Sequence, residues 1–179
     1  MRLLETRPYH GLAMIVASPV GPLSLVENGT ALTHVCFGQE KAPEGAELGA
    51  SPLLSEAAGQ LDEYFNGRRR AFDLPLAPFG TEFQRRVWAE LMRVPYGETR
   101  FYAQMAEALG QPGASRAVGQ ANNRNPLAII IPCHRVLGRD GHLTGYAGGV
   151  EIKEYLLKLE DDVCSGRARS CDWTEDDID

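Results

Sequence analysis

The sequence predicts an α/β (α+β) protein. An N-terminal antiparallel three-stranded sheet with one helix should be followed by a mainly helical part that carries a helix-turn-helix. Three observations predict this. Short β-branched runs separated by turn residues fill the first forty positions. Capped segments of 3.6-residue periodicity dominate after residue 80. Two short helical segments meet at Gln111-Pro112-Gly113.

Leu12–Ala17 reads as the first strand, with a turn at Ser18-Pro19-Val20-Gly21. Leu23–Val26 resumes the sheet, and Asn28-Gly29 marks a hairpin. Ala31–Phe37 is the third strand, with Leu32, His34 and Cys36 on one face and Thr33, Val35 and Phe37 on the other. Residues 38–50 read as a loop rich in Gly, Pro and Glu. His34 and Cys36 are two potential ligands, too few for a metal site, and packing is the expected role. Ser51-Pro52 opens a helix as cap and first residue, and Leu54, Ala58, Leu61 and Phe65 form its apolar stripe up to Gly67. Arg68-Arg69-Arg70 reads as a solvated helix end. Phe72–Leu76 reads as an edge strand, and the domain boundary is expected near residue 80, giving domains 1–80 and 81–160 and an acidic, disordered tail over 161–179.

Thr81-Glu82-Phe83-Gln84 has capping-box spacing, and Phe83, Val87, Trp88 and Leu91 supply a core face. Thr99 is expected to cap a helix from Arg100 to Leu109, and a third helix to cover Ala114–Asn122. This third helix carries small residues at Ala117, Gly119 and Ala121. Glycine inside a helix costs roughly 1 kcal/mol relative to alanine. Close approach of another backbone explains it, whether a neighbouring helix or a nucleic-acid groove. Ile129-Ile130-Ile131 reads as a short buried strand ended by Pro132. Cys133 follows, with His134 beside it. Thr144–Gly149 is a glycine-rich loop without phosphate-loop spacing, and Val150–Glu160 is a helix with Ile152, Leu156 and Leu159 inward.

The 179 residues hold 44% apolar and 23% charged side chains, ordinary for a globular protein. No apolar run is long enough to cross a membrane, no secretory signal is visible, and a cytoplasmic protein is expected. The four cysteines form no Cys-x-x-Cys pair, so no metal is expected, and a Cys164–Cys171 disulfide is improbable in a reducing compartment. The net charge of −6 conceals an uneven distribution. Residues 1–80 carry 6 Lys/Arg against 9 Asp/Glu, residues 81–160 carry 10 against 8, and residues 161–179 carry 2 against 7. The part holding Cys133 is therefore mildly basic.

Cysteine reacts as the thiolate, and an adjacent base or cation raises that fraction. From the residues alone Cys133 and His134 suit a cysteine hydrolase as well as a transferase. Further residues resemble a known family. Asn125-Pro126, Ile131-Pro132-Cys133-His134-Arg135-Val136, Gly145-Tyr146-Ala147-Gly148-Gly149 and Lys153-Glu154 resemble the O6-alkylguanine-DNA alkyltransferases, bacterial type. Phe101-Tyr102 and Ser115-Arg116-Ala117-Val118-Gly119 resemble their helix-turn-helix. The resemblance implies direct repair: an alkyl group moves irreversibly from O6 of guanine in double-stranded DNA, with O4 of thymine left open, to Cys133. It implies no cofactor, and a flipped base entered from the minor groove. It makes Cys133 the acceptor, His134 its base through a water, Glu154 the orienter of the imidazole, Tyr102 a donor to the guanine ring and Asn125 a brace. Arg116 would fill the vacated stack, with Ser115, Ala117, Gly119, Ala121, Tyr102 and Arg124 against DNA. Arg135, Val136, Tyr146, Ala147 and Gly148 would line the base pocket. The expected partner is DNA containing O6-alkylguanine, met by a monomer, with cooperative loading left open. Ala128 stands where the family commonly has proline. A non-enzymatic sensor of alkylated bases is the competing DNA reading, and the reactive cysteine speaks against it.

Overall fold

The computed structural model describes residues 11–38, 45–139, 141–143 and 146–167. Its N-terminal part is a four-stranded sheet in the order β3-β2-β1-β4. Strands β1 (Gly11–Val16), β2 (Leu23–Glu27) and β3 (Leu32–Phe37) form the expected antiparallel meander. The hairpin before β3 is closed by Asn28, whose side-chain oxygen accepts from the amides of Thr30 and Ala31. Strand β4 (Ala46–Leu48) pairs parallel to β1, inside the segment read as a loop. Three residues with two of them exposed leave too little pattern for a strand to be read.

Helix α1 (Pro52–Phe65) packs on the sheet and begins where the cap predicts, with Ser51 Oγ accepting from Leu54 N at 3.1 Å. Helix α2 (Glu82–Leu91) opens on a complete capping box between Thr81 and Gln84. The next helix starts later than the sequence suggests. Arg100–Phe101 is β5, a two-residue strand drawn into parallel pairing with β6 (Val136–Leu137), and α3 (Tyr102–Ala108) follows it. Helix α4 (Ser115–Asn123) completes the helix-turn-helix, and α5 (Val150–Cys164) runs four residues past the expected end. Asp161–Cys164 is therefore helical rather than tail, and residues 168–179 lie outside the described residues. No described helix is long and apolar enough to cross a membrane.

Two expected strands are not strands. Phe72–Leu76 contributes one bridge, Leu76 with Leu32. Ile129–Ile131 is a buried series of turns. Ile130 N reaches Ala128 O and Ile131 N reaches Leu127 O, so the backbone closes on itself instead of joining a ladder. Ile129 takes a φ of 70°, a left-handed conformation unfavourable to a β-branched residue. β-branched runs report a buried, packed environment as much as an extended backbone.

The outer edge of β3 ties the two parts together. Leu32 exchanges hydrogen bonds with Pro75 O and Ala77 N. Val35 does the same with Pro126 O and Ala128 N, at 2.8 and 3.1 Å. Sheet edges left unpaired are a liability, and here the edge is covered by the segment that leads to Cys133. Phe37, at the end of β3, stacks on Tyr146 from the loop that follows Cys133, with ring centroids 5.6 Å apart. One core runs from Leu23 and Leu25 through Tyr64, Trp88 and Ile131 to Leu156.

A Cβ at Gly148 would lie 2.7 Å from the buried Phe37 ring. Gly148→Ala should lower stability by about 1–3 kcal/mol by overpacking. In a Phe37→Ala background the added methyl should cost little, and thermal unfolding of the four-member double-mutant cycle checks this.

Candidate active site

Cys133, His134 and Arg135 form one turn of 3-10 helix between the Ile129–Ile131 turns and β6. Pro132 precedes it and ends the turn series. Cys133 is 3% exposed. Asn125 organises its surroundings: Nδ2 donates to Ile131 O at 2.9 Å and lies 3.0 Å from Cys133 Sγ, while Oδ1 accepts from Leu127 N at 3.0 Å. One side chain thus closes the turn and donates to the sulfur. Burial pushes the Cys133 thiol up to about 11, against opposing pulls from the Asn125 hydrogen bond, the Lys153 ammonium and the nearby backbone amides. The resting thiol is therefore protonated, with only about one thiolate in ten thousand at pH 7.

His134 is fully buried. Its Nε2 pairs with Glu160 Oε1 at 2.8 Å. Burial lowers its pKa, although the Glu160 carboxylate pulls the other way, so the ring is neutral at physiological pH. Nδ1 has no protein partner among the described residues, and neither does the buried Asn122 Oδ1. Polar groups of this kind are normally bridged by ordered water.

The carboxylate that pairs with His134 is Glu160, not the expected Glu154. Glu154 is exposed, while Glu160 is 1% exposed. The buried face of α5 passes through Lys153, Leu156 and Glu160. That is the i, i+3, i+7 spacing of one helical stripe, and Glu154 falls about 100° away from Lys153. Two opposite charges within a buried stripe were the signal available in the sequence, because Lys and Glu are rarely buried unless paired. Burial alone would raise the Glu160 carboxyl, but His134 and Arg135 outweigh it and hold it at about 2. Its other donors are Tyr64 Oη at 2.7 Å, Gly97 N at 2.9 Å and the Arg135 guanidinium at 2.9 Å. Lys153 is also fully buried, donates from Nζ to Val136 O, and lies close enough to Cys133 to favour its thiolate.

Arg135 and Val136, expected in the base pocket, are both buried and are not among the walls of the groove described below. Arg135 is buried, chelates Glu160 and donates to Val94 O at 2.7 Å, with its guanidinium 5.5 Å from the Tyr96 ring. Val136 is fully buried beneath the site. Tyr146 is 8% exposed and meets the His134 ring edge-on, Ala147 is exposed and Gly148 half-buried. Thr144 and Gly145 of the expected loop lie outside the described residues.

A groove of 730 Å³ opens on the helix-turn-helix. Phe101, Tyr102, Ser115, Arg116, Gly119 and Arg139 are among its walls. Tyr102 links it to the interior: its hydroxyl accepts from Asn122 Nδ2 at 3.3 Å, and the same amide donates to Cys133 O at 3.3 Å. That leaves the Tyr102 proton available to a ligand. Burial, and then the charge of Cys133, raises its pKa. Ala117 is exposed, whereas Ala121 is 2% exposed, faces the interior and accepts the Trp88 indole N–H at its carbonyl, so it is not a surface for a ligand. Arg124 lines a second groove of 440 Å³ with Phe79, Thr81 and Gln84. Gly119 does not owe its identity to packing, because an added Cβ would meet only the Tyr102 ring at an ordinary 3.8 Å. Residues that sequence reasoning missed are Glu160, Tyr64, Asn122, Lys153 and Arg139. Among the described residues no group of three or more His, Cys, Asp or Glu could hold a metal.

Comparison with known proteins gives the family to which this fold belongs. Residues 9–78 match the model of the ribonuclease-like domain of 6-O-methylguanine DNA methyltransferase, and residues 82–162 match that of its DNA binding domain. The chain is 53% identical over 150 residues to a methylated-DNA--protein-cysteine methyltransferase of Methanosarcina barkeri, spanning 82% of this chain and 95% of that protein. It is 50% identical over 146 residues to the Mycobacterium leprae protein of the same name, spanning 80% and 88%. Crystal structures of the Mycobacterium tuberculosis O6-methylguanine methyltransferase (TM-score 0.79, 44% identity, covering 90% of this chain and 96% of that one) and of M. tuberculosis OGT in complex with DNA (0.80, 45%, covering 86% and 94%) share the fold. The sheet, the helix-turn-helix and the buried cysteine turn are therefore those of a member of the 6-O-methylguanine DNA methyltransferase family, and the chain belongs to it.

Proposed function

We propose that the protein repairs DNA by moving an alkyl group from O6 of guanine to Cys133, once per molecule and without a cofactor. The single observation that carries this reading is a buried cysteine, held by Asn125 and flanked by a His134–Glu160 pair, together with a groove on the helix-turn-helix. A base stacked in a duplex cannot reach a thiol that is 3% exposed, so the nucleotide must leave the stack. The substrate is then duplex DNA containing O6-alkylguanine.

His134 takes the Cys133 proton through a water, while Glu160 holds the ring and stabilises the imidazolium that forms. The thiolate attacks the alkyl carbon in line. The S–C bond forms, the C–O6 bond breaks, and the electron pair goes to the guanine oxygen. Tyr102 donates to the leaving base, which finally takes up the proton. Lys153 stabilises the thiolate electrostatically. The thioether cannot ionise, so the molecule is spent. Arg116 occupies the vacated stack, and Ser115, Ala117, Gly119 and Arg124 contact the duplex through its shape and phosphates. Tyr146, Ala147 and Gly148 border the extruded base. Cys133 and Cys164 are free thiols, in keeping with work in the reducing cytoplasm, where the protein acts as a monomer.

Intact and peptide mass spectrometry after mixing with a limiting duplex bearing one O6-methylguanine should find one added methyl on the Cys133 peptide, equal in amount to the lesion lost. Cys133→Ala should transfer none. Unmodified wild-type protein that still shifts the duplex on a gel would instead identify a sensor.

Gly119→Ala separates groove contact from packing. Removing a helical glycine should raise stability by about 0.5–1 kcal/mol, yet weaken duplex binding several-fold, as unfolding and titration of labelled duplex would show.

The thiol titration itself is a third test. Reaction with a small alkylating reagent should rise about tenfold per pH unit and level off near 11. In Lys153→Met the levelling point should move to higher pH, because a cation favouring the thiolate is gone.

A further inference from the structure

The N-terminal part contributes one atom to the heart of the site. Helix α1 carries Tyr64, which is 0% exposed, and its phenol donates to Glu160 Oε1 at 2.7 Å. The same oxygen takes the hydrogen bond from His134 Nε2 at 2.8 Å and one from the Arg135 guanidinium at 2.9 Å. Ninety-six positions separate Tyr64 from Glu160. The phenol is held in turn by rings on three sides: Phe65 edge-on, Phe72 tilted and Tyr96 edge-on, with centroids 5.5 to 5.9 Å away. A side chain so fixed has one orientation to offer.

We propose that Tyr64 is a positioning residue for alkyl transfer, its phenol fixing Glu160 Oε1 and through it the orientation and basicity of the His134 imidazole. The inference rests on the transferase reading for its rate consequence, but its structural part does not. Core packing alone would be satisfied by phenylalanine at this position. The hydroxyl instead goes to the one oxygen that His134 also uses.

The direction of the effect follows from the charges around His134. Glu160 and Lys153 face it from α5, Arg135 and Cys133 flank it in the turn, Tyr146 meets it from the following loop, and Tyr64 and Tyr96 reach the Glu160–Arg135 pair from α1 and the segment after α2. Each donor to Glu160 spreads its negative charge and leaves less to attract a proton onto His134. Tyr64 therefore keeps His134 in the neutral form that can act as a base. Without the hydroxyl, the carboxylate holds a proton on His134 more tightly. The base is then lost at a higher pH.

The test is Tyr64→Phe, read by NMR titration of the His134 imidazole in the free protein and by the pH profile of single-turnover transfer from an O6-methylguanine duplex. The expected result is an upward move of the His134 midpoint by about one pH unit, with the acid limb of the rate profile moving by the same amount. Below that limb the variant should be up to about tenfold slower. A changed unfolding temperature with both midpoints in place would overturn the proposal and leave Tyr64 a core residue. Should Tyr64→Phe fail to fold, a fluorinated tyrosine at position 64 keeps the ring and strengthens the donor. It must then move the His134 midpoint down, and an unmoved midpoint overturns the proposal. The imidazole titration needs no transfer, so a wild-type protein that transfers nothing would sink the proposed function while leaving this coupling readable.

Discussion

A single buried carboxylate holds this site together. Glu160 carries a full negative charge inside the protein, and an unpaired charge there would cost several kcal/mol. It is tolerated because four residues from three places in the chain converge on it: Tyr64 of α1, Gly97 after α2, and His134 and Arg135 of the cysteine turn. The geometry of each element is thereby referred to one point. Gly97 shows how tightly. Its φ of 77° suits glycine, and a Cβ there would strike the Cys164 sulfur at 2.5 Å. Arg135, whose sequence position suggested a pocket wall, spends its hydrogen bonds on Glu160 and Val94, so the residue beside His134 is a tether.

The second constraint is the conflict between hiding a thiol and using it. Burial protects Cys133 from solvent and adventitious oxidants, but it also pushes the thiol up to about 11. The site answers with fixed groups: Asn125 on the sulfur, Lys153 nearby and the backbone amides of Cys133 and His134. These are preorganised, so little rearrangement accompanies the appearance of charge. The edge of β3 makes the preorganisation possible. Val35 clamps the chain before the cysteine and Phe37 packs on the loop after it, so a sheet remote from the groove sets the position of the sulfur.

The groove follows a different logic from the interior. The exposed Ala117 and the half-buried Gly119 of α4 keep its surface low, and the cations of Arg116 and Arg139 stand along it. Neither a long polar side chain nor a packing demand explains the small residues. A surface shaped for close approach does, and it matches an activity that must operate at any sequence position.

Local chemistry was written openly in the sequence. The caps at Ser51 and Thr81, the Asn28-Gly29 hairpin, the amphipathic helices and the Cys133-His134 turn residues act over a few positions, where composition alone decides the conformation. The resemblance to a family rested on the same local runs. What depended on distant partners was misread or unread. The Ile129–Ile131 run looked like a strand, because burial and extension favour the same residue types. It became turns because Asn125 and its own carbonyls took its hydrogen bonds. Glu154 was the nearer carboxylate by motif, but the turn of α5 put Glu160 against His134. Tyr64 gave no local sign at all. The sequence by itself determined which groups could react and, through the caps at Ser51 and Thr81, where α1 and α2 begin. Only the tertiary structure decided which carboxylate, which cation and which phenol reach them, because hydrogen bonds across 25 to 96 positions depend on packing that no local pattern encodes.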